Sequence, residues 1–155
     1  MKITKEIIIR PQDVIIGDWM LYNGMPRCVC AVNEGCLMLK ENNCDCNRAI
    51  VSYEDVRPIP ISPDYMTMFG FTKCEADGWL FDEACWRFKS DEVEDPEARE
   101  LCVSWKADDD DHSRTYRTTC RGYGDQPFFH FDAISDIQHF FYNDSHCVLP
   151  IKPNI

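Results

Sequence analysis

Five cysteines lie within nineteen residues and form the densest group of reactive side chains in this sequence; they are Cys28, Cys30, Cys36, Cys44 and Cys46. Residues two apart on a β-strand share a face, so each Cys-x-Cys pair in the group would present two sulfurs together. Four such thiolates would hold a zinc ion tetrahedrally, although zinc knuckles ordinarily use Cys-x-x-Cys spacing. The sequence leaves three alternatives open: a metal site, half-buried reduced thiols, and a redox pair.

Acidic residues and histidines offer two further candidates for metal binding or catalysis. The run Asp108–His112 has the composition of a Ca²⁺ or Mg²⁺ site, but it lacks the alternating oxygen ligands and the turn glycine of a calcium loop. We interpret it as a solvated turn.

The histidines would permit a small hydrolase with a Cys–His or carboxylate site, although no nucleophile signature marks one. No cofactor loop is recognisable, and no cofactor is predicted. The four histidines are His112, His130, His139 and His146.

The clearest candidate for ligand binding is a set of Trp and Arg residues in the second half of the chain. Aromatic rings beside guanidinium groups suit stacking on a nucleotide base and pairing with its phosphate. The alternative is that the tryptophans form a core and the arginines pair with the abundant acids. The predicted ligand-binding residues are Trp79, Trp86, Arg87, Trp105, Arg114, Arg117 and Arg121.

Two strand-rich segments must position these residues, and the first runs to about residue 61. Asn23-Gly24 is a strong hairpin signal because both residues tolerate positive φ. Alternation in the second strand places Cys28, Cys30 and Val32 on one face. Four or five short strands predict a small antiparallel sheet or an SH3-like barrel, with a plain meander as the alternative. The predicted strands are Asp18–Tyr22, Pro26–Val32, Cys36–Lys40 and Ala49–Tyr53, with a polar loop over 41–48.

The second segment, 62–155, is predicted to hold an antiparallel sheet of about four strands and a C-terminal helix. Ser62-Pro63-Asp64 has the pattern of a helix start and Gly70 that of a helix end. Four apolar residues share one face of a helix over 133–142, and we expect that face to pack on the sheet; they are Ile134, Ile137, Phe140 and Phe141. The fold class is therefore α+β, with domains 1–61 and 62–155. The strands expected in this segment are 71–74, 79–81, 85–88, 101–105 and 113–123, and a short final one at 147–151.

The charge of the chain narrows the classes of partner. It carries 27 acidic and 16 basic residues, for a net charge of −11. A field of that sign repels phosphate backbones and anionic membranes and favours a basic protein partner. No apolar stretch reaches the length of a signal-peptide core or a membrane span. We therefore expect a cytoplasmic protein with reduced thiols, with no long nucleic acid or membrane as a partner; a homo-oligomer is left open.

Five short blocks follow one another along the chain: Ile16–Gly24, Val56–Ser62, Phe69–Phe71, Gly78–Leu80 and Ile134–Tyr142. In this order they resemble a family of small uncharacterised proteins from gut bacteria and their phages or mobile elements. The resemblance spans most of the chain, and it implies a phage or mobile-element setting but no activity and no functional residues. The stretch from Cys28 to Cys46 departs from the family's pattern, and so does Asp136–Tyr142 within the last block.

Together these features favour binding over catalysis. We expect a non-enzymatic binding protein of phage or mobile-element type that counters a host defence, either by blocking a host protein or by sequestering a small nucleotide signal. The acidic charge favours a protein partner, and the Trp and Arg set favours a nucleotide. The alternatives are the small hydrolase described above and a structural or assembly module.

Overall fold

A computed structural model of the chain describes residues 9–41, 44–74, 85–89, 100–106, 115–120, 125–130, 133–145 and 148–154. The chain divides into an N-terminal unit, Met1–Ile59, and a C-terminal unit, Pro60–Ile155. The predicted boundary, between residues 61 and 62, lies two residues farther along the chain. Each unit contains a five-stranded antiparallel sheet. With helices added in the C-terminal unit, the predicted α+β fold class is confirmed.

The N-terminal sheet is built from hairpins joined by short turns. Asn23 and Gly24 have φ values of 49° and 75°, so the predicted two-residue hairpin turn is confirmed. The predicted loop over 41–48 is wrong in its extent, because Lys40 pairs with Arg48 and the fourth strand begins at Cys44. The strands are β1 (Trp19–Tyr22), β2 (Met25–Val32), β3 (Leu37–Glu41), β4 (Cys44–Val51) and β5 (Val56–Pro58), in the order β4-β3-β2-β1-β5.

The connection between β4 and β5 requires this sheet to curl. The two strands lie at opposite edges of the sheet, yet only residues 52–55 join them, and Tyr53–Asp55 form a 3-10 turn. A flat five-stranded sheet is about 19 Å from edge to edge, at roughly 4.8 Å per strand. A 3-10 turn rises only about 2 Å per residue, so the link spans on the order of 10 Å. The end of β4 must therefore lie near the start of β5, which favours a curled, SH3-like sheet over a flat meander, although no described strands pair across the two edges.

A bulge in β2 determines which of its side chains enter the core of the N-terminal unit. Val29 pairs with Leu39, but Ala31 pairs with Met38, so β2 advances two residues while β3 advances one. The extra residue, Cys30, reverses the alternation beyond it. The predicted alternation is therefore wrong after Val29. Val32 packs against the core together with Val29. The buried core of this unit consists of Ile9, Val14, Met20, Val29, Leu37, Leu39, Val51 and Val56.

The C-terminal sheet has five strands where about four were predicted. The strand over Asp125–His130 was not predicted. It contains Pro127, which disfavours a central strand, but it lies at the sheet edge, where proline is tolerated. The predicted final strand at 147–151 is also wrong, since residues 148–154 contain no strand. The expected strand at 79–81 lies outside the described residues. The strands are β6 (Thr72–Cys74), β7 (Cys85–Lys89), β8 (Glu100–Lys106), β9 (Thr115–Cys120) and β10 (Asp125–His130), in the order β10-β9-β8-β7-β6.

Both predicted helices are present in this unit. The first, α1 (Pro63–Met68), begins where the Ser62 hydroxyl accepts the Tyr65 N–H at 3.2 Å, and Gly70 follows it with a φ of 89°. The second, α2 (Ile134–Ser145), runs three residues beyond its predicted end. Its four predicted apolar residues are all buried: Ile134, Ile137, Phe140 and Phe141. No helix in the described part of the chain is long and apolar enough to cross a membrane.

Candidate binding surface

A row of apolar residues crosses the outer face of β2, β3 and β4. Ala31 pairs with Met38, and Met38 pairs with Ile50. Because the neighbouring Leu37 and Leu39 point into the core, strand alternation places Met38 on the opposite face. Ile50 is 69% exposed. We call Ala31, Met38 and Ile50 the outer row; its members lie on the face of the sheet that does not build the core.

A groove of about 150 Å³ lies along the outer row. An engineered apolar cavity of similar volume binds benzene, so this groove can accommodate one branched or aromatic side chain. Most of its lining is apolar, and Asn33 contributes one amide. The lining residues are Ala31, Val32, Asn33, Cys36, Leu37, Met38 and Ile50.

One end of the groove is a hydrogen-bonded turn between β2 and β3. The Asn33 side-chain oxygen accepts the N–H groups of Gly35 and Cys36 at 2.9 and 3.2 Å, and the Asn33 N–H donates to the Cys36 carbonyl at 3.0 Å. The Tyr53 hydroxyl donates to the Asn33 carbonyl at 2.6 Å. Partial burial raises the pKa of Tyr53, which favours its donating, protonated form. This turn is therefore organised without a ligand.

The row next to the outer row carries two cations. Lys40 and Arg48 pair across β3 and β4, two residues along each strand from Met38 and Ile50, respectively. Positions two apart share a face, so both lie on the outer face of the sheet. Arg48 is exposed and Lys40 is half-buried. The outer face therefore combines an apolar groove with positive charge at one side of it.

The described cysteines of the N-terminal unit are half-buried free thiols: Cys28, Cys30 and Cys36. Cys28 lies 3.6 Å from the Gly17 carbonyl, and burial raises the pKa of its thiol to about 11 although nearby Lys40 acts to lower it. Cys30 donates to the Met38 carbonyl at 3.4 Å. No group of three metal-ligating side chains occurs among the described residues. The side chains of Cys44 and Cys46 lie outside the description, so a metal site that includes them stays a hypothesis.

The predicted Trp and Arg set is only partly described. Trp86 is 5% exposed and Arg87 is half-buried. Arg87 pairs with Cys102, two residues from Ser104, the partner of Arg117. The backbone register therefore assigns the two arginine positions to one face of the sheet.

The tryptophan positions belong to the other face of that sheet. Trp86 pairs with Val103, two residues before Trp105 on β8, and Trp86 and Arg87 are adjacent residues of one strand. The register thus separates the described tryptophan positions from the described arginine positions. Trp79, Arg114 and Arg121 lie outside the described residues, and nucleotide binding by the full set stays a prediction.

Two of the four histidines fall within described elements. His130 ends β10, and His139 is half-buried in α2. The run Asp108–His112 and His146 lie outside the described residues.

The outer row and its cations were not predicted as a site. The alternation in Cys36–Lys40 would have placed Met38 and Lys40 together on one face. No sequence signal brings Ile50 and Arg48 beside them, because that requires the register of β4, which was itself expected to be partly a loop.

Comparisons with protein-family models, with curated proteins and with solved structures give no match to this chain.

Proposed function

We propose that this is a non-enzymatic binding protein whose N-terminal unit holds a protein partner on the outer face of β2, β3 and β4. The observation that carries the proposal is the outer row, in which Ile50 is 69% exposed beside a groove of about 150 Å³. Contiguous apolar patches on a protein surface mark sites that become buried in a complex more often than isolated apolar residues do. The hydrogen-bonded turn at Asn33 keeps the groove organised before binding.

A protein partner is favoured over a small nucleotide by the chemistry of the two candidate surfaces. The groove is lined by aliphatic and sulfur-containing side chains and one amide, which suit an apolar side chain rather than a base with its phosphate. In the other candidate set, Trp86 is 5% exposed, so its ring does not offer a stacking surface. The net charge of −11 also works against a phosphorylated ligand.

The setting of this function comes from the family resemblance. A phage or mobile-element protein without a catalytic signature acts on its host most directly by occupying a host protein. We therefore propose that the partner is a bacterial host protein, that it is bound in the cytoplasm, and that occupying it counters a host defence.

An affinity experiment with two matched variants tests the proposal. The wild-type protein, Ile50→Lys and the control Ile16→Lys are immobilised, exposed to lysate of a gut bacterium, and the retained proteins are quantified by mass spectrometry. Ile16 is a suitable control because it lies in the same unit, is 60% exposed and does not line the groove. We expect the wild type and the control to retain the same partner and Ile50→Lys to lose it. Equal retention by all three proteins would contradict the proposal.

A nucleotide screen tests the competing function. The protein is heated with and without cyclic nucleotides, and its unfolding temperature is recorded. A ligand that binds only the folded state raises this temperature, by an amount that grows with the logarithm of its concentration over its Kd. No shift with any nucleotide is expected; a shift that survives Ile50→Lys would favour the nucleotide function instead.

A further inference from the structure

The outer edge of β4 is open among the described strands. β3 pairs with one side of β4, and no other described strand pairs with the opposite side. Edge strands offer unpaired N–H and C=O groups that can pair with an extended segment of another chain. Among the β4 residues whose side chains are described, Arg48 and Ile50 lie on the outer face, and both are exposed.

Two chemically different positions follow each other along this edge. Ile50 belongs to the outer row beside the groove, and Arg48 belongs to the cationic row with Lys40. The two rows are two residues apart, a separation of about 7 Å along a strand. In an extended segment added to β4, side chains two residues apart would meet these rows on the same face.

We propose that β4 accepts an extended segment of the partner protein, in which an apolar residue enters the groove and a carboxylate two residues away pairs with Arg48 and Lys40. This rests on the proposed function and states which feature of the partner the site recognises. Backbone pairing with the β4 edge provides affinity that is independent of sequence, and the two rows provide the selection. For antiparallel addition, which matches every other pair in this sheet, the recognised order is apolar-x-Asp or apolar-x-Glu.

The charge at the other end of the groove fixes the polarity of the segment. Glu34 follows Asn33 in the turn there and is exposed. A carboxylate placed beyond the groove on that side would meet like charge, which opposes a reversed arrangement of the segment.

The net charge of −11 also limits how acidic the recognised segment can be. A strongly acidic segment would be repelled during approach, whereas one carboxylate within a neutral or basic segment would not. The recognised segment is therefore apolar and mildly charged, with a single acidic residue at a fixed spacing.

Selection from a random peptide library tests this inference. Dodecapeptides displayed on phage particles are selected on the immobilised full-length protein, and the same library is selected on Arg48→Glu and Ile50→Lys. We expect the wild type to enrich an apolar residue with Asp or Glu two positions away, and Arg48→Glu to enrich Lys or Arg there instead.

Binding of a selected acidic peptide should weaken about fivefold in Arg48→Gln, the effect of losing one exposed ion pair, and should be unchanged in the control Arg10→Gln. Arg10 is a suitable control because it is also exposed in the N-terminal unit.

The outcomes separate this inference from the proposed function. Peptides that require Ile50 but show no acidic preference at that spacing would overturn the inference and leave the groove as a protein-binding site. Identical peptides from the wild type and Ile50→Lys, or no enrichment, would overturn both. Sedimentation would show whether the protein forms a dimer that Ile50→Lys dissociates, which would assign the groove to a second copy and overturn the inference. Thermal unfolding of each variant, with Ile50→Ser as a second substitution, confirms that the fold is intact.

Discussion

The two units of this protein differ in both their charge and their exposed apolar residues. The N-terminal unit, Met1–Ile59, has eight acidic and seven basic residues, whereas the C-terminal unit has nineteen acidic and nine basic residues. Nearly all of the net negative charge therefore belongs to the C-terminal unit. Among the described residues, four of the six exposed large apolar side chains belong to the N-terminal unit: Ile15, Ile16, Met25 and Ile50.

Under the proposed function, this difference would be a division of roles. The unit without excess charge carries the groove and two cations beside it, so it can accept an apolar segment with a carboxylate. In the acidic unit the apolar face of α2 is buried, and this unit contributes most of the long-range field. Contact recognition, including the pairing with Arg48 and Lys40, would then belong to the N-terminal unit, and the long-range repulsion of strongly acidic segments would come chiefly from the acidic unit.

The largest expected effect is in the acidic unit, where the apolar face of α2 is buried. Phe141 is 1% exposed, whereas the adjacent Tyr142 is 43% exposed. We expect Phe141→Ala to lower the free energy of unfolding by about 3–5 kcal/mol, because it removes a buried ring and leaves a cavity. Tyr142→Ala should cost less than about 1 kcal/mol. Urea unfolding of the two variants measures both values, and equal losses would show that α2 presents a different face to the core.

In the N-terminal unit the corresponding prediction concerns a buried carboxylate. Asp18 is 2% exposed, and its Oδ2 accepts the Ile15 N–H at 2.9 Å. We expect Asp18→Ala to destabilise the protein by about 1.5–3 kcal/mol, the range for hydrogen bonds to charged groups. The control is Asp13→Ala, which removes an exposed ion pair with Arg10 and should cost under about 1 kcal/mol. An unchanged free energy of unfolding in Asp18→Ala would mean that the turn before β1 is stable without this carboxylate.

Local signals in the sequence predicted the fold well. The Asn23-Gly24 turn, the Ser62 cap and the buried face of α2 each depend on residues close together in the chain, and all three are confirmed. The bulge at Cys30 and the edge strand containing Pro127 depend on pairing with other strands. A one-residue change of pairing exchanges the two faces of a strand, so alternation within one segment could not predict them.

The candidate surface was harder to predict for the same reason. Met38 and Ile50 are twelve positions apart in the sequence and become neighbours only through the register of β3 and β4. Trp86 shows a different difficulty, because a tryptophan next to an arginine in the sequence fits a ligand-stacking surface and a buried core equally well. Its 5% exposure decides between them for that residue, and only the folded backbone supplies that information.

A smaller effect is expected at the start of α1 in the acidic unit. The Ser62 hydroxyl accepts the Tyr65 N–H at 3.2 Å. Ser62→Ala should reduce the free energy of unfolding by about 1 kcal/mol, because one N–H at the helix start loses its partner. Ser62→Asp should retain the stability, since aspartate also caps helices, and chemical denaturation of both variants distinguishes capping from a general effect of substitution. A loss of stability in Ser62→Asp as large as in Ser62→Ala would contradict the capping role.

The smallest effect on stability is expected at a thiol of the N-terminal unit. Burial raises the pKa of Cys28 to about 11, whereas an unfolded cysteine titrates near about 8.5. Because folding favours the protonated thiol, its contribution to stability is complete below the unfolded pKa and is lost as the pH rises through about 11.

Only the thiolate reacts with iodoacetamide, so at pH 8 the folded protein should be alkylated at Cys28 about two orders of magnitude more slowly than urea-unfolded protein. Mass spectrometry of the Cys28 peptide over a pH series measures the alkylation rate. If this rate in the folded protein rose around the pKa of an unfolded cysteine, Cys28 would be open to solvent rather than held against the Gly17 carbonyl.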